Sequence, residues 1–153
     1  MKYVTLTRGE RVMVDDEDLE HVLAVGGWHR SKIGYAVHSV DAKTKVYMHR
    51  FLLGCVVGQH VDHINQDKLD NRRSNLRVCT DHENRMNRPS YKGSGSKFKG
   101  VHFCSRKKRW TAQIQKMRRK YHIGYFDLES QAAKAYDVAA REMFGEFAFL
   151  NFP

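Results

Sequence analysis

Between His60 and Asn84 the chain reads HVDHINQDKLDNRRSNLRVCTDHEN, which sets an Asp-His pair (Asp62, His63), a turn-rich loop and two further amides (Asn75, Asn84) within 25 positions. Those side-chain types suit one reaction. Hydrolysis of a phosphodiester needs a water deprotonated in line with the leaving oxygen, and a cation to neutralise charge on the non-bridging oxygen. His63 has the chemistry of the base. Asp62 and Asn84 offer oxygen ligands to a hard divalent ion, and two protein ligands completed by waters and a phosphate oxygen are the usual way of holding Mg²⁺. Asn75 is expected to orient His63 through a ring nitrogen.

The elements that must position these residues follow from local signals. His60 to Asn65 alternates as a short strand, Gln66-Asp67-Lys68 supplies turn residues, and Leu76 to Cys79 resumes as a second strand. Thr80-Asp81-His82-Glu83 matches a capping box, which puts Asn84 in the first turn of a helix. Neighbours on a regular strand face opposite ways, so Asp62 and His63 can address one phosphate only if the strand ends or bulges there. Asn71 is expected to cap a turn with Asp70, while His82 and Asn87 are rival ligands to Asn84. A zinc site built from Cys55, His60, Cys79 and His82 lacks paired Cys-x-x-Cys spacing, and a structural zinc is not expected.

The segment resembles the HNH endonucleases, in particular the phage intron-encoded and related homing endonucleases with a ββα-metal site. The likeness rests on Asp62-His63, on Asn75-Leu76-Arg77 and on Asn84, in that order and spacing. It implies that Asp62 and Asn84 bind metal, Mg²⁺ or Mn²⁺, that His63 is the general base, and that Asn75 positions His63.

Composition supplies the partner. A formal charge of +10 in 153 residues points to a polyanion, for which nucleic acid is the first candidate. The charge is uneven: residues 1–90 carry 14 Lys and Arg against 12 Asp and Glu, whereas residues 91–153 carry 13 against 5. Between these parts lies a Pro-, Gly- and Ser-containing stretch, read as a linker over 89–97 that separates a module at 1–88 from one at 98–153. No long apolar run or leader-like start is found, and three widely spaced cysteines disfavour a disulfide framework. The expectation is a soluble, cytoplasmic protein with free thiols, phage-encoded or at work in a bacterial host, and without a membrane partner.

Residues 1–50 read as a small α+β support. Tyr3 to Thr7 and Arg11 to Val14 suggest a hairpin, Asp16 to Val25 a helix started by the acidic run Asp15 to Asp18, and Gly34 to His38 with Lys45 to His49 a pair of strands. His49-Arg50 is open to two readings, phosphate contact or satisfaction of local backbone, with the structural reading preferred.

Beyond the linker, Lys99 to Cys104, Arg109 to Lys116 and Lys120 to Phe126 alternate as three strands, with Trp110, Ala112 and Ile114 inward and Arg109, Thr111, Gln113 and Gln115 outward. Tyr121, Ile123 and Tyr125 are expected to share the inward face, and Glu129 to Phe144 to form a helix that lies on it and stops at Gly145. Phe98 to Pro153 resembles the Apetala-two or ethylene-response-factor type of DNA-binding domain. The likeness is carried by Lys99-Gly100-Val101, Trp110, Ile123 to Asp127, Ala132-Ala133, Ala135-Tyr136-Asp137 and Leu150 to Pro153. It implies a DNA face comprising Lys99, His102, Cys104, Arg106, Gln113, Gln115, Lys120 and His122. Lys108, Arg109 and Arg118 at the hairpin turns are added as phosphate contacts from charge.

The sequence therefore predicts an α+β chain with a ββα-metal nuclease module and a three-stranded antiparallel sheet packed on one helix. The function expected is a homing-type endonuclease, probing double-stranded DNA as a monomer and nicking it. A regulator that binds DNA without cleaving it is the alternative.

Overall fold

The computed structural model describes residues 1–90 and 94–153, which divide into two compact units, Met1–Asn84 and Arg85–Pro153. Tyr91-Lys92-Gly93, the middle of the expected linker, lie outside the described residues. The fold is mixed helix and strand in both units.

In the first unit, β1 (Lys2–Thr5) and β2 (Arg11–Val14) pair as an antiparallel hairpin. Val4, Val12 and Val14 point from it into a core shared with Leu6, Val22, Trp28, Ala36, Met48 and Leu52. The helix expected from Asp16 opens as a 3-10 turn, Asp16–Asp18, and becomes α-helical as α1 over Leu19–Val25. A third sheet strand absent from the sequence reading, β3 (His29–Arg30), joins β4 (Ala36–Ser39) and β5 (Lys45–Tyr47). The strand expected through His49 stops at Tyr47; Met48–Leu52 is instead a short helix, α2, that buries Met48, His49 and Leu52.

The acidic run starts the helical segment as expected, with Asp16, Glu17 and Asp18 in its first turn. No side-chain cap bond forms there. Asp15 accepts the backbone N–H of Arg73 at 2.7 Å, and Asp18 accepts Arg73 Nε and Nη2 at 2.9 and 2.8 Å. These carboxylates therefore hold a loop 55 residues downstream. The edge of β2 holds it too, because Met13 donates to the Leu69 carbonyl and accepts from Asn71 N–H, both at 2.8 Å. The hairpin and α1 are thus the clamp for the loop between the two strands of the candidate site. Asp18→Asn keeps the shape and removes the charge from a buried, forked interaction; unfolding in urea should show a loss of about 2 kcal/mol, and an unchanged midpoint would contradict the clamp.

The site itself is carried by β6 (His60–His63) and β7 (Leu76–Cys79), antiparallel with Asp62 opposite Arg77 and His63 opposite Leu76, followed by α3 (Asp81–Met86). The capping box forms as the sequence predicts: Glu83 N–H donates to Thr80 Oγ1 at 3.2 Å and Thr80 N–H donates to Glu83 Oε2 at 2.8 Å. Those bonds hold the Glu83 carboxyl below its usual value.

In the second unit, β8 (Val101–Cys104), β9 (Arg109–Lys116) and β10 (Arg119–Phe126) form an antiparallel sheet in the order β10-β9-β8, and α4 (Glu129–Phe144) packs on it. Alanines 132, 133 and 140 let the helix lie close, with Tyr136 buried among Val101, Ala112 and Ile114. Trp110 packs on the same core. The chain end is pinned by Asp137, whose buried carboxylate accepts Asn151 and Phe152 backbone N–H at 2.8 and 2.9 Å, while Asn151 in turn bonds the backbone of Lys99.

Candidate functional site

β6 ends at His63, which meets one of the two conditions for Asp62 and His63 to act together; the pairing with β7 shows no bulge. Both residues are buried, at 6% and 4% exposure. Asp62 Oδ2 accepts Arg77 Nε at 3.0 Å and Nη2 at 2.6 Å from the facing strand. The ring of His63 lies 5.0 Å from that of His49 and 5.7 Å from that of Tyr35, and its Nε2 is 3.4 Å from Asn71 Oδ1. An amide oxygen only accepts, so Nε2 carries the hydrogen and the lone pair is left on Nδ1. Burial pushes His63 below the usual histidine value, against the opposing pull of Asn71 and Asp62. Burial thus favours the neutral ring, the form a base requires.

The ring contact expected of Asn75 is made by Asn71. Asn75 is buried and closes the loop instead: its Nδ2 donates to Asn65 Oδ1 at 2.9 Å and the Asp70 carbonyl at 2.8 Å, and its Oδ1 accepts Asn65 N–H at 3.0 Å. Asp70, also buried, accepts Arg72 Nε and Nη2 at 2.8 and 2.6 Å and Asn65 Nδ2 at 2.9 Å. The Arg72 bonds foremost hold the Asp70 carboxyl below its usual value, so this staple stays charged at neutral pH. Asn71 follows Asp70 directly, so the loop network sets where its amide meets His63.

Asn84 is half-buried in the first turn of α3, and among the described residues its side chain makes no hydrogen bond to Asp62, His63 or Asn75. Its rivals differ: His82 is exposed on the same helix, and Asn87 is buried beyond its end. Among the described residues no three His, Cys, Asp or Glu side chains group so as to hold a metal. A carboxylate with an amide oxygen fits a hard cation, whereas burial pushes the Cys79 thiol up to about 11 and keeps it protonated. Cys55, Cys79 and Cys104 are free thiols.

In the second unit the register sorts the expected DNA-contacting residues. His102 opposite Thr111, Cys104 opposite Arg109, Gln113 opposite His122 and Gln115 opposite Lys120 share the face away from the α4 core. Arg106 and Lys108 are exposed at the β8–β9 turn, Arg118 at the β9–β10 turn, and Arg109 pairs with Asp127 at 2.9 Å on the surface. Lys99 departs from expectation. Its ammonium donates to the Met86 carbonyl and lies 5.3 Å from the Phe149 ring centre, and burial pushes it down to about 8.

Residues 56–86 match the model of an HNH endonuclease family, and residues 96–146 match that of the AP2 domain. The chain thus carries a segment similar to HNH endonucleases followed by one similar to AP2 domains. An uncharacterized HNH endonuclease of Acanthamoeba polyphaga mimivirus is 37% identical over 130 residues, covering 81% of this chain and 66% of the viral protein. Two proteins of Arabidopsis thaliana, an AP2/ERF and B3 domain-containing transcription repressor and a transcription factor of the same description, are each 39% identical over 75 residues. The match covers 49% of this chain and only 20% and 22% of the two plant proteins.

The HNH and AP2 units also hold residues that sequence reasoning passed over. In the AP2 sheet the register shifts between His122 and Gly124, which turns Tyr125 to the polar face opposite Thr111, contrary to the expected alternation. There its ring meets His122 at 4.5 Å and Lys107 Nζ at 4.2 Å. In the first unit, Arg8, Arg30, Lys32 and Lys45 line a cleft of about 560 Å³ with His29 and one carboxylate, Glu10. Lys68 donates to the Ile33 carbonyl in its wall at 2.8 Å and covers the Tyr35 ring at 4.6 Å, and that ring packs on His63. The acidic run at 15–20 hides this basic cleft when charge is counted along the chain.

Proposed function

We propose that this protein is a divalent-metal-dependent endonuclease of the homing type that nicks double-stranded DNA, with the AP2 unit as its DNA tether. The observation that carries the reading is the buried His63, its Nε2 turned to Asn71, at the end of the strand that bears Asp62. Asp62 and Asn84 would hold the ion. Mg²⁺ or Mn²⁺ would supply charge neutralisation at the scissile phosphate and leaving oxygen. His63 Nδ1 takes the proton from the attacking water, Asn71 fixes which nitrogen is available, and Asn75 keeps the loop closed around them.

Duplex approach is served by two basic surfaces. The cleft of Arg8, Arg30, Lys32 and Lys45 offers phosphate contacts within the nuclease unit. The AP2 sheet offers Gln113 and Gln115 for base edges, with His102, His122 and Tyr125 beside them and Arg106, Lys108 and Arg118 for phosphates. Tethering raises the local concentration of duplex at the nuclease, so weak binding there suffices. One site per chain makes a nick the natural product, and a monomer is sufficient for it.

The test is conversion of supercoiled plasmid to the nicked form by purified protein. Nicking should require added Mg²⁺ or Mn²⁺ and cease on chelation by EDTA. One feature favours the regulator reading, namely that Arg77 already engages the Asp62 carboxylate. Plasmid that is bound tightly yet left intact in both metals would establish that reading instead.

A further inference from the structure

The sequence left His49-Arg50 between phosphate contact and a structural role, and the fold gives each residue a distinct task. α2 turns Arg50 toward the approach to β6, where Nη1 donates to the Gln59 carbonyl at 2.6 Å and Nη2 to the Val56 carbonyl at 3.0 Å. The same helix turns His49 inward. At 6% exposure, the His49 ring stands edge-on to His63 at 5.0 Å with planes 77° apart, and it is flanked by Tyr35 at 5.0 Å and Tyr47 at 5.6 Å. Its Nδ1 is buried and has no hydrogen-bond partner among the described residues. Such a nitrogen destabilises a fold, so a residue chosen only for packing would not carry it.

We infer that His49 is a positioning residue for the base: its flat ring, packed against His63, fixes the plane in which His63 presents Nδ1. This inference rests on the proposed role of His63. Asn71 meets one nitrogen of that ring at 3.4 Å, a long contact. The aromatic edge supplies the second constraint, and burial, pushing His49 down to about 3, keeps that neighbour uncharged. Misorientation of a reacting group by a fraction of an ångström lowers rate without weakening substrate binding.

Two substitutions in the full-length chain test this. His49→Leu retains apolar volume and removes both the flat ring and the orphan nitrogen; His49→Phe restores a flat ring. The Leu variant should melt at or above the wild-type temperature, bind duplex equally and keep KM for plasmid, yet lose about tenfold in kcat. The Phe variant should recover to within about threefold of wild type, as expected where orientation alone is at stake. The ring Cε1–Hε1 NMR signal of His63, assigned by its loss in His63→Gln, should broaden in the Leu variant and stay sharp in the Phe variant. Unchanged kcat in the Leu variant, a parallel fall of melting temperature and kcat, or a Phe variant as slow as Leu would each overturn the inference. Should the wild-type chain not nick plasmid, the endonuclease reading fails, and the His63 signal still decides: broad in Leu and sharp in Phe supports the positioning role, and sharp in both refutes it.

Discussion

Replacing His63 with alanine should lower the nicking rate by a factor of about 10²–10⁴ while duplex affinity stays within about twofold, since phosphate contacts supply most of that affinity. The size follows from what the side chain does in the proposed reaction. It is the proton acceptor, buried and turned by Asn71 so that Nδ1 holds the lone pair. The nearest other imidazole, His49, has its Nδ1 sealed from solvent and cannot deputise. The pH profile gives an independent check. Burial lowers the His63 value below that of an ordinary histidine, which moves the acid limb of the rate to lower pH. On acidification the rate should hold to a lower pH than an ordinary histidine would allow before it falls, and the residual activity of the Ala variant should lack that limb. Initial rates of plasmid nicking beside gel-shift affinities would measure both. A variant that still nicks at a tenth of the wild-type rate or better would remove His63 from the base's role.

What was legible of this site in the sequence was the order of the elements that carry it; what was concealed was partnership. β2, β7 and α4 were legible to the residue because alternation, a capping box or a long amphipathic stripe marks each one locally. α2 was not, since five residues are too few to show a helical period, and Val46-Tyr47-Met48 has the composition of a strand. Asp15 and Asp18 read as part of a helix start because that is the local use of an acidic run. Their partner, Arg73, lies 58 and 55 residues away. Asn71 and Asn75 present the same amide four positions apart, and only the folded loop decides that Asn71 meets the His63 ring while Asn75 closes the loop. Tyr125 was assigned to the wrong face because one bulge residue in β10 inverts every later side chain. Lys99 was assigned to DNA by resemblance, although its burial draws it to the Met86 carbonyl.

Gly100→Ala should remove the tether with a single methyl group. Gly100 precedes β8 with φ of +74°, where a side chain is strained, and an added Cβ would lie 2.1 Å from Tyr136 Cδ2 and 2.6 Å from the Gln113 carbonyl oxygen. Neither neighbour can give way. Tyr136 is fixed in the core of the AP2 unit, and the backbone of Gln113 is bonded to Gly100, its N–H donating to the Gly100 carbonyl at 2.8 Å. Strain and overpacking together should cost about 2–6 kcal/mol, a large share of what a small unit has to lose. Duplex affinity should then fall by tenfold or more, with a shallower salt dependence because fewer phosphates are neutralised. The nicking kcat at saturating plasmid should change far less, as His63 and its loop belong to the other unit. A chain cut after Pro89 should behave in the same way. Circular dichroism melting, affinity at several salt concentrations and kcat against KM would separate the terms. If the AP2 unit is unfolded and affinity is unchanged, the tether lies elsewhere, and the cleft of Arg8, Arg30, Lys32 and Lys45 becomes the principal duplex contact.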